Sequence, residues 1–497
     1  MHSSIRAAAL LAAAAMPAGG CASSEHPQPV AGLDREAGSS RRVVAGRGQV
    51  PEPAELTEGS GLSDYLAYAA LNNAGLEAAF NRWKAAAERV PQAKSLPDPR
   101  FTYRYFISEI ETRVGPQRQA FGLSQTFPWF GKLELSGGVA AEAANAERRR
   151  YEAAKLELFY RVKDAYYEYY YLRRSIAVVA ENIRLVKNLE QVARVRYKAA
   201  VGGHANLIRA QVELGKLDDR LRSLQALREP IVAGLNAALN RPADAPLAWP
   251  KDIKEESISP GDDQLLAWLA ESNPELQAMS AEIARWERQI ELAGKDYFPD
   301  VTVGVDYIDV AKPTGSMRPS DAGKDAVSVM ASLNIPIWWD RLAAGVREAR
   351  NRRFAAVLAR RQKVNDLSAS LKLALYHYHD AERKIDLYRD TLVPKAAESV
   401  KTAEAAFRAG RAGFLDVIDS QRILLEFGLA AERALAGKAQ RLAELEMILG
   451  REIPRKGHPG PATTTPAAKA DRQVIPQTDL PASARQAGAE TQRPSGS

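Results

Sequence analysis

The sequence predicts an α + β membrane protein, a tandem duplication of helix, β-hairpin and long helix pair, whose strands close a barrel only when copies are pooled. Three observations carry this. Two stretches, about 100–128 and 299–336, alternate apolar and polar side chains, over lengths close to the roughly 9–11 residues of a tilted membrane-spanning strand. Each is followed by an unusually long helical pattern. The second half of the chain repeats the first.

Composition bounds the answer. With 497 residues, 46% hydrophobic and 26% charged, the chain can bury a large core. The net charge of +7 is modest for this length, and no compact basic cluster with interleaved aromatics appears. A mixed solvated surface therefore accounts for the charge, and nucleic acid is not an expected partner. After the N-terminus no run of 18 or more apolar residues occurs, so a membrane-spanning form of this chain must be a closed β-barrel.

The chain starts as a targeting segment. Arg6 precedes an apolar run from Ala7 to Met16 and small residues up to Cys21, so residues 1–20 read as a secretory signal. Cys21 is the only cysteine, which excludes a disulfide framework. Ala18-Gly19-Gly20-Cys21 resembles a bacterial lipobox, with alanine where leucine usually stands three before the cysteine. On that resemblance Cys21 is the lipidated N-terminus, and Ala22 rather than aspartate after it suits outer-membrane delivery. The alternative is ordinary secretion with a chance cysteine. Several acyl chains would anchor stably, at about 0.8 kcal/mol per buried methylene.

Residues 21–60, rich in Pro, Gly, Ser and charge, read as a flexible tether. The first repeat, 61–260, opens on a helix with Ser63 or Asp64 as N-cap and Leu66, Ala70, Leu76 and Phe80 as its apolar stripe. In its hairpin, about 100–128, Phe101, Tyr103, Tyr105 and Ile107 alternate with Thr102, Arg104 and, less cleanly, Phe106, and after a loop Phe121, Leu123 and Phe127 alternate with Gly122, Ser124 and Thr126. Pro128 breaks strand to helix. A helical hairpin, about 138–240, turns at Gly202 and Gly203 and is expected to kink at Pro230. Residues 241–260 form a proline-studded linker.

The second repeat, 261–453, follows the same plan. Helix covers 262–297, with Asn273-Pro274 as a start signal. In the hairpin at about 299–336, Val301, Val303, Val305 and Tyr307 oppose Thr302, Gly304 and Asp306, and Val327, Val329, Ala331, Leu333 and Ile335 oppose Ser328, Met330, Ser332 and Asn334. Pro336 ends it. A helical hairpin, about 341–450, bends at Pro394 and turns at Gly410 and Gly413. Residues 454–497, poor in hydrophobic side chains, read as a disordered tail. A constant offset of 210 residues relates Tyr197 to Phe407, Gln211 to Gln421 and Leu235 to Leu445.

Four spanning strands cannot close a barrel, for which about eight is the working minimum. Lipid does not tolerate their unpaired edges. Three copies give twelve strands, cyclic symmetry closes the ring, and the inward faces carry Thr, Ser, Asn, Asp and Gly, which suit a wet lumen. The long helices would continue the ring as a tube.

These features resemble the outer-membrane efflux factor (TolC-type) family over nearly all of residues 62–452. The resemblance rests on Asn73 with Leu76 and Asn273 with Leu276, on Pro97-Asp98 and Pro299-Asp300 ahead of each hairpin, on Pro128 and Pro336 behind it, and on the turn motifs 197–211 and 407–421. It implies a homotrimer: a twelve-stranded barrel in outer-membrane lipid, continued by a periplasmic α-helical barrel. It also implies docking with a periplasmic adaptor protein and an inner-membrane pump, and export of small toxic compounds or metal ions. The run 125–132 resembles members that work with resistance-nodulation-division pumps. An outer-membrane duct for type I protein secretion is the alternative within this architecture. A secreted coiled-coil structural protein is the alternative outside it.

The candidate functional residues follow from this plan. Asp416 and Asp419 lie three apart after the second turn and so share a helix face. In three copies they would ring the periplasmic mouth with carboxylates, which bind cations and can hold a gate near closed; in the similar family such a pair lines the narrowest point. They equally fit a role complementing the helix N-terminus, worth about 0.3–1 kcal/mol. The first repeat has Asn206 and Arg209 there, so the acid is one-sided. His377 and His379, two apart, point about 200° from each other, against the i, i+3 or i+4 spacing of helical metal pairs, and read as surface or packing residues. The tyrosines of 166–171 read as helix-packing or lumen residues. No phosphate loop, triad or metal cluster appears, so no enzyme, metal or cofactor is expected.

Overall fold

Two near-copies of one unit make up the structure, a computed structural model that describes residues 56–200, 202–313 and 319–456. The first copy runs α1 (Leu62–Asn72), α2 (Ala74–Ala87), α3 (Arg89–Lys94), β1 (Arg100–Ile110), β2 (Gln117–Phe127), α4 (Lys132–Lys198), α5 (His204–Ala226) and α6 (Arg228–Leu239). The second runs α7 (Asp262–Ser272), α8 (Pro274–Lys295), β3 (Val301–Val310), β4 (Ala326–Leu333), α9 (Trp339–Leu387), a π-helical turn (Tyr388–Leu392), α10 (Val393–Arg408) and α11 (Phe414–Leu449).

The duplication is visible atom by atom at the helix starts. Asn73 caps α2 by accepting from the Leu76 amide at 3.0 Å, and its Nδ2 donates to Ala238 O at 3.0 Å. Asn273 caps α8 in the same way, from Leu276 at 2.9 Å, and donates to Ile448 O at 2.7 Å. Each asparagine thus starts one helix and pins the far end of its own repeat. The start of α1 differs from expectation. Gly61 is the N-cap, and Asp64 reaches back to accept from the Gly61 amide at 2.7 Å.

Helix α4 has 67 residues, about 100 Å at 1.5 Å per residue. It contains no proline, and its two glycines fall at a crossing. A Cβ on Gly137 would lie 2.4 Å from Lys94 Cγ, and one on Gly138 2.9 Å from Arg288 Cδ. The bare backbone there lets α3 and α8 pass close.

Proline acts on the other long helices through the carbonyl four residues earlier, which its ring crowds. Pro230 crowds Ala226, and α5 stops there; the single residue Leu227, itself in right-handed helical conformation, joins it to α6, so the interruption falls just upstream of the proline. Pro394 crowds Asp390. There the helix stays continuous and widens into the π-helical turn Tyr388–Leu392.

The four strands form one antiparallel sheet in the order β1-β2-β3-β4. Buried residues gather in three clusters. One lies at the helix tips, around Val179, Val186, Phe407, Phe414 and Val417. Two lie at mid-height, around Tyr65, Tyr169 and Leu235 in the first repeat and Leu265, Tyr378 and Leu445 in the second.

The segment 241–261 is no loose linker. Leu247 O accepts from Tyr169 Oη at 3.2 Å and from Arg228 at 3.1 Å, and Trp249 stacks on Tyr169 at 4.8 Å. Ile258 forms a bridge to Arg455, and Ser259 N donates to Pro454 O at 3.0 Å. Residues 454–456, expected in a disordered tail, are therefore held in place by an isolated β-bridge and its flanking backbone bonds. Leu56, expected in the tether, packs on the first mid-height cluster. The signal, Cys21 and residues 457–497 lie outside the described residues.

Candidate functional site

Cross-strand register sorts the sheet into two chemically distinct faces. Phe101, Leu123, Val305 and Val329 form one row, and Tyr103, Phe121, Tyr307 and Val327 the next. On the opposite face the rows are Arg100-Ser124-Gly304-Met330, Thr102-Gly122-Asp306-Ser328 and Arg104-Ala120-Ile308-Ala326. The apolar face stands open: Phe101 is 66% exposed and Val329 75%. Neither outer edge, on β1 or on β4, has a strand partner among the described residues. Such a surface is unstable in water and incomplete in lipid.

Both strand-to-helix junctions carry exposed aromatics. After Pro128, Trp129 stacks on Phe298 at 5.3 Å, and its amide donates to Asp300 Oδ1 at 2.8 Å. Lys132 Nζ reaches the same carboxylate at 2.9 Å. Gly131 sits at φ 82, the left-handed conformation from which α4 starts. At the other junction β4 ends at Leu333, earlier than expected, because Asn334 turns its side chain to accept from the Asp300 amide. Pro336 then occupies the break between strand and helix, followed by exposed Trp338 and Trp339.

The two tips are equivalent in place and unequal in chemistry. In the first, Gly202 N donates to Arg196 O at 3.1 Å and Gly203 is the extended N-cap of α5. The left-handed position falls on Ala200, φ 56, and on neither glycine. In the second, Gly410 takes that position at φ 73, and Gly413 is the extended N-cap of α11.

Asp416 accepts from the Gly413 amide at 2.8 Å, so it caps α11. Asp419, 62% exposed at its side chain, pairs with Arg422 at 3.3 Å. Arg422 in turn grips Glu213 of the first repeat through two bonds, at 3.1 and 2.6 Å. Those bonds hold the Glu213 carboxyl below its usual range, against the effect of burial. Arg196 spans the tips in the other direction, donating to Phe407 O at 2.6 Å.

At mid-height, Glu446 is buried at the centre of a charged knot. It accepts from Lys163 at 2.7 Å and from Arg455 at 2.7 Å, and Arg455 also holds Glu256 at 2.7 Å. Burial pushes the Glu446 carboxyl up, but the two cations outweigh it and hold it below its usual range. Lys438, also buried, bonds Glu255 at 3.2 Å and Glu382 at 3.1 Å.

These arginine and glutamate partners lie far apart in sequence, 209 residues for Arg422 and Glu213, and periodicity gives no sign of them. The repeat offset comes within one residue of that spacing and is the signal that could have found the pair. His379 contacts Asp262 at 3.1 Å and Glu382 at 3.3 Å, and His377 packs edge-on against Tyr376. Among the described residues no His, Cys, Asp or Glu group could hold a metal ion, and no helix is long and apolar enough to cross a membrane.

Residues 265–451 match the family described as outer membrane efflux protein. The chain is 24% identical over 400 residues to the cobalt-zinc-cadmium resistance protein CzcC of Cupriavidus metallidurans, covering 78% of this chain and 89% of that one. Among solved structures, the outer-membrane channel OprN aligns with a TM-score of 0.65 at 18% identity, over 81% of this chain and 96% of that chain. CusC, solved in work on transmembrane channel formation, aligns at 0.65 and 16% identity, over 82% and 99%. The fold is that of the TolC-type outer-membrane channels.

Proposed function

From the match of residues 265–451 to the outer membrane efflux protein family, we propose that three copies pool their sheets into one barrel and serve as the outer-membrane duct of a tripartite efflux assembly. The chain is a channel protein of the outer membrane that extends into the periplasm, not an enzyme. The observation that carries the trimer is the sheet itself: four strands, both edges open, one face without charge across its full-width rows. Sharing edges between copies satisfies every backbone group and buries none of the polar rows.

In this reading the helices form the periplasmic tunnel. Their tips meet an adaptor protein that brings an inner-membrane pump, and small toxic compounds or metal ions pass outward. Cys21 carries the lipid that fixes the N-terminus to the membrane. Asp416 and Asp419 line the periplasmic mouth as its gate. Their place at the start of α11, directly after the second turn, supports that role.

Extraction and electrophoresis test the reading. A detergent-dependent trimer that collapses to monomer on heating is the expected result, together with increased sensitivity to toxic compounds or metals on deletion. A monomer that stays soluble without detergent overturns it.

A further inference from the structure

The polar face of the sheet carries three charges across its full-width rows: Arg100, Arg104 and Asp306. Among the described residues none of the three side chains makes a hydrogen bond or an ion pair. Around these rows Asp309 pairs with Arg118, Asp321 with Arg113 and Asp300 with Lys132, while Glu109, near the far end of β1 and outside the full-width rows, is exposed.

The floor between these charges is made of small residues, and Gly122 is its lowest point. A Cβ there would stand 2.5 Å from Asp306 Oδ1 and 3.6 Å from Thr102 Cβ. The Asp306 carboxylate therefore leans back across β2, over Gly122, towards the strand that carries Arg100 and Arg104. It reaches neither. Three unneutralised charges thus sit on one wall, two positive and one negative.

We propose that this patch is the charge-selecting element of the duct wall. Two arginines tempered by one aspartate leave each copy net positive, so the barrel favours small anionic solutes over cations. The wall would then oppose in sign the carboxylates of the tunnel mouth. The inference rests on the pooled-barrel reading, in which these rows face the lumen.

Local potential is read by placing a reporter thiol at Thr102, beside both arginines and opposite Asp306 across Gly122. Thr102→Cys trimers in membranes are treated with anionic and cationic methanethiosulfonate reagents, and the ratio of labelling rates is taken. The protein carrying only Cys21 supplies the background. Adding Asp306→Asn should raise the anion-to-cation ratio about threefold, and adding Arg104→Gln should lower it by a similar factor, as one unit charge acting across a water-filled gap requires. Ratios unchanged in both variants overturn the proposal while leaving the barrel intact. Labelling by these aqueous reagents at Tyr103→Cys but not at Thr102→Cys overturns the assignment of the faces, and the barrel reading with it.

Discussion

The Arg196 side chain closes over the end of the opposite hairpin: its Nη1 donates to Phe407 O at 2.6 Å while its guanidinium lies 4.8 Å over the Phe407 ring. A helix C-terminus leaves carbonyls without partners and carries partial negative charge. Arg196 satisfies both needs for α10 from another helix, so it couples the two tips. Arg196→Ala should cost about 1–2 kcal/mol locally. It should also speed amide exchange across 405–411. Arg196→Lys keeps the charge but loses the stacked plane, and should fall between. Protection unchanged in the alanine variant would remove the coupling role.

Asp416 and Asp419 can be separated by what asparagine preserves. Asp416→Asn keeps an oxygen for the Gly413 amide and so keeps the cap. Asp416→Ala loses it, at about 1 kcal/mol. If the pair forms an acid gate, the double Asn variant should fold normally and show larger single-channel conductance with weaker cation block. Conductance that changes only with alanine would assign the carboxylates to helix capping alone.

Glu446 sets an acid limit on the mid-height region. Its carboxyl is held below the unfolded value of 4.5. The stabilisation is therefore complete above about pH 4.5 and is lost as pH falls through the lower, folded-state value. Glu446→Gln should destabilise at neutral pH by about 3–5 kcal/mol, since Lys163 and Arg455 lose their common partner. It should also flatten the acid limb of thermal melts recorded from pH 6 to pH 3. An acid limb identical to that of the parent would show that other carboxylates set it.

The sequence made the strands, the long helices and the 210-residue repeat legible, because each leaves a periodic trace. Val301 to Tyr307 alternates at period two, and Asn73 and Asn273 each stand before a helix. The strap over mid-height left none. Leu247, Trp249 and Ile258 read as linker, and only the partners Tyr169, Arg228 and Tyr378 show that they are fixed. Asp416 was found by its place after a turn, but whether it caps or gates is decided by an amide 2.8 Å away and by copies of the chain, neither of which spacing encodes. Proline was a sound marker of disruption and a poor marker of its place, since the clash falls four residues upstream.

At the helix-hairpin turns the two repeats share a conformation but not a residue. Ala200 and Gly410 are equivalent at the repeat offset, and both are left-handed, at φ 56 and φ 73. A Cβ in that region costs about 1–2 kcal/mol, whereas glycine pays only the extra freedom of its unfolded chain, about 0.5–1 kcal/mol. Ala200→Gly should therefore stabilise the first turn by about 0.5–1 kcal/mol, and Gly410→Ala should destabilise the second by a similar or larger amount. Amide exchange of residues 198–206 and 408–416 reads the two effects separately. If Ala200→Gly instead speeds exchange at the first turn, the Cβ there makes a contact worth more than the strain, and the left-handed alanine is favoured by its packing.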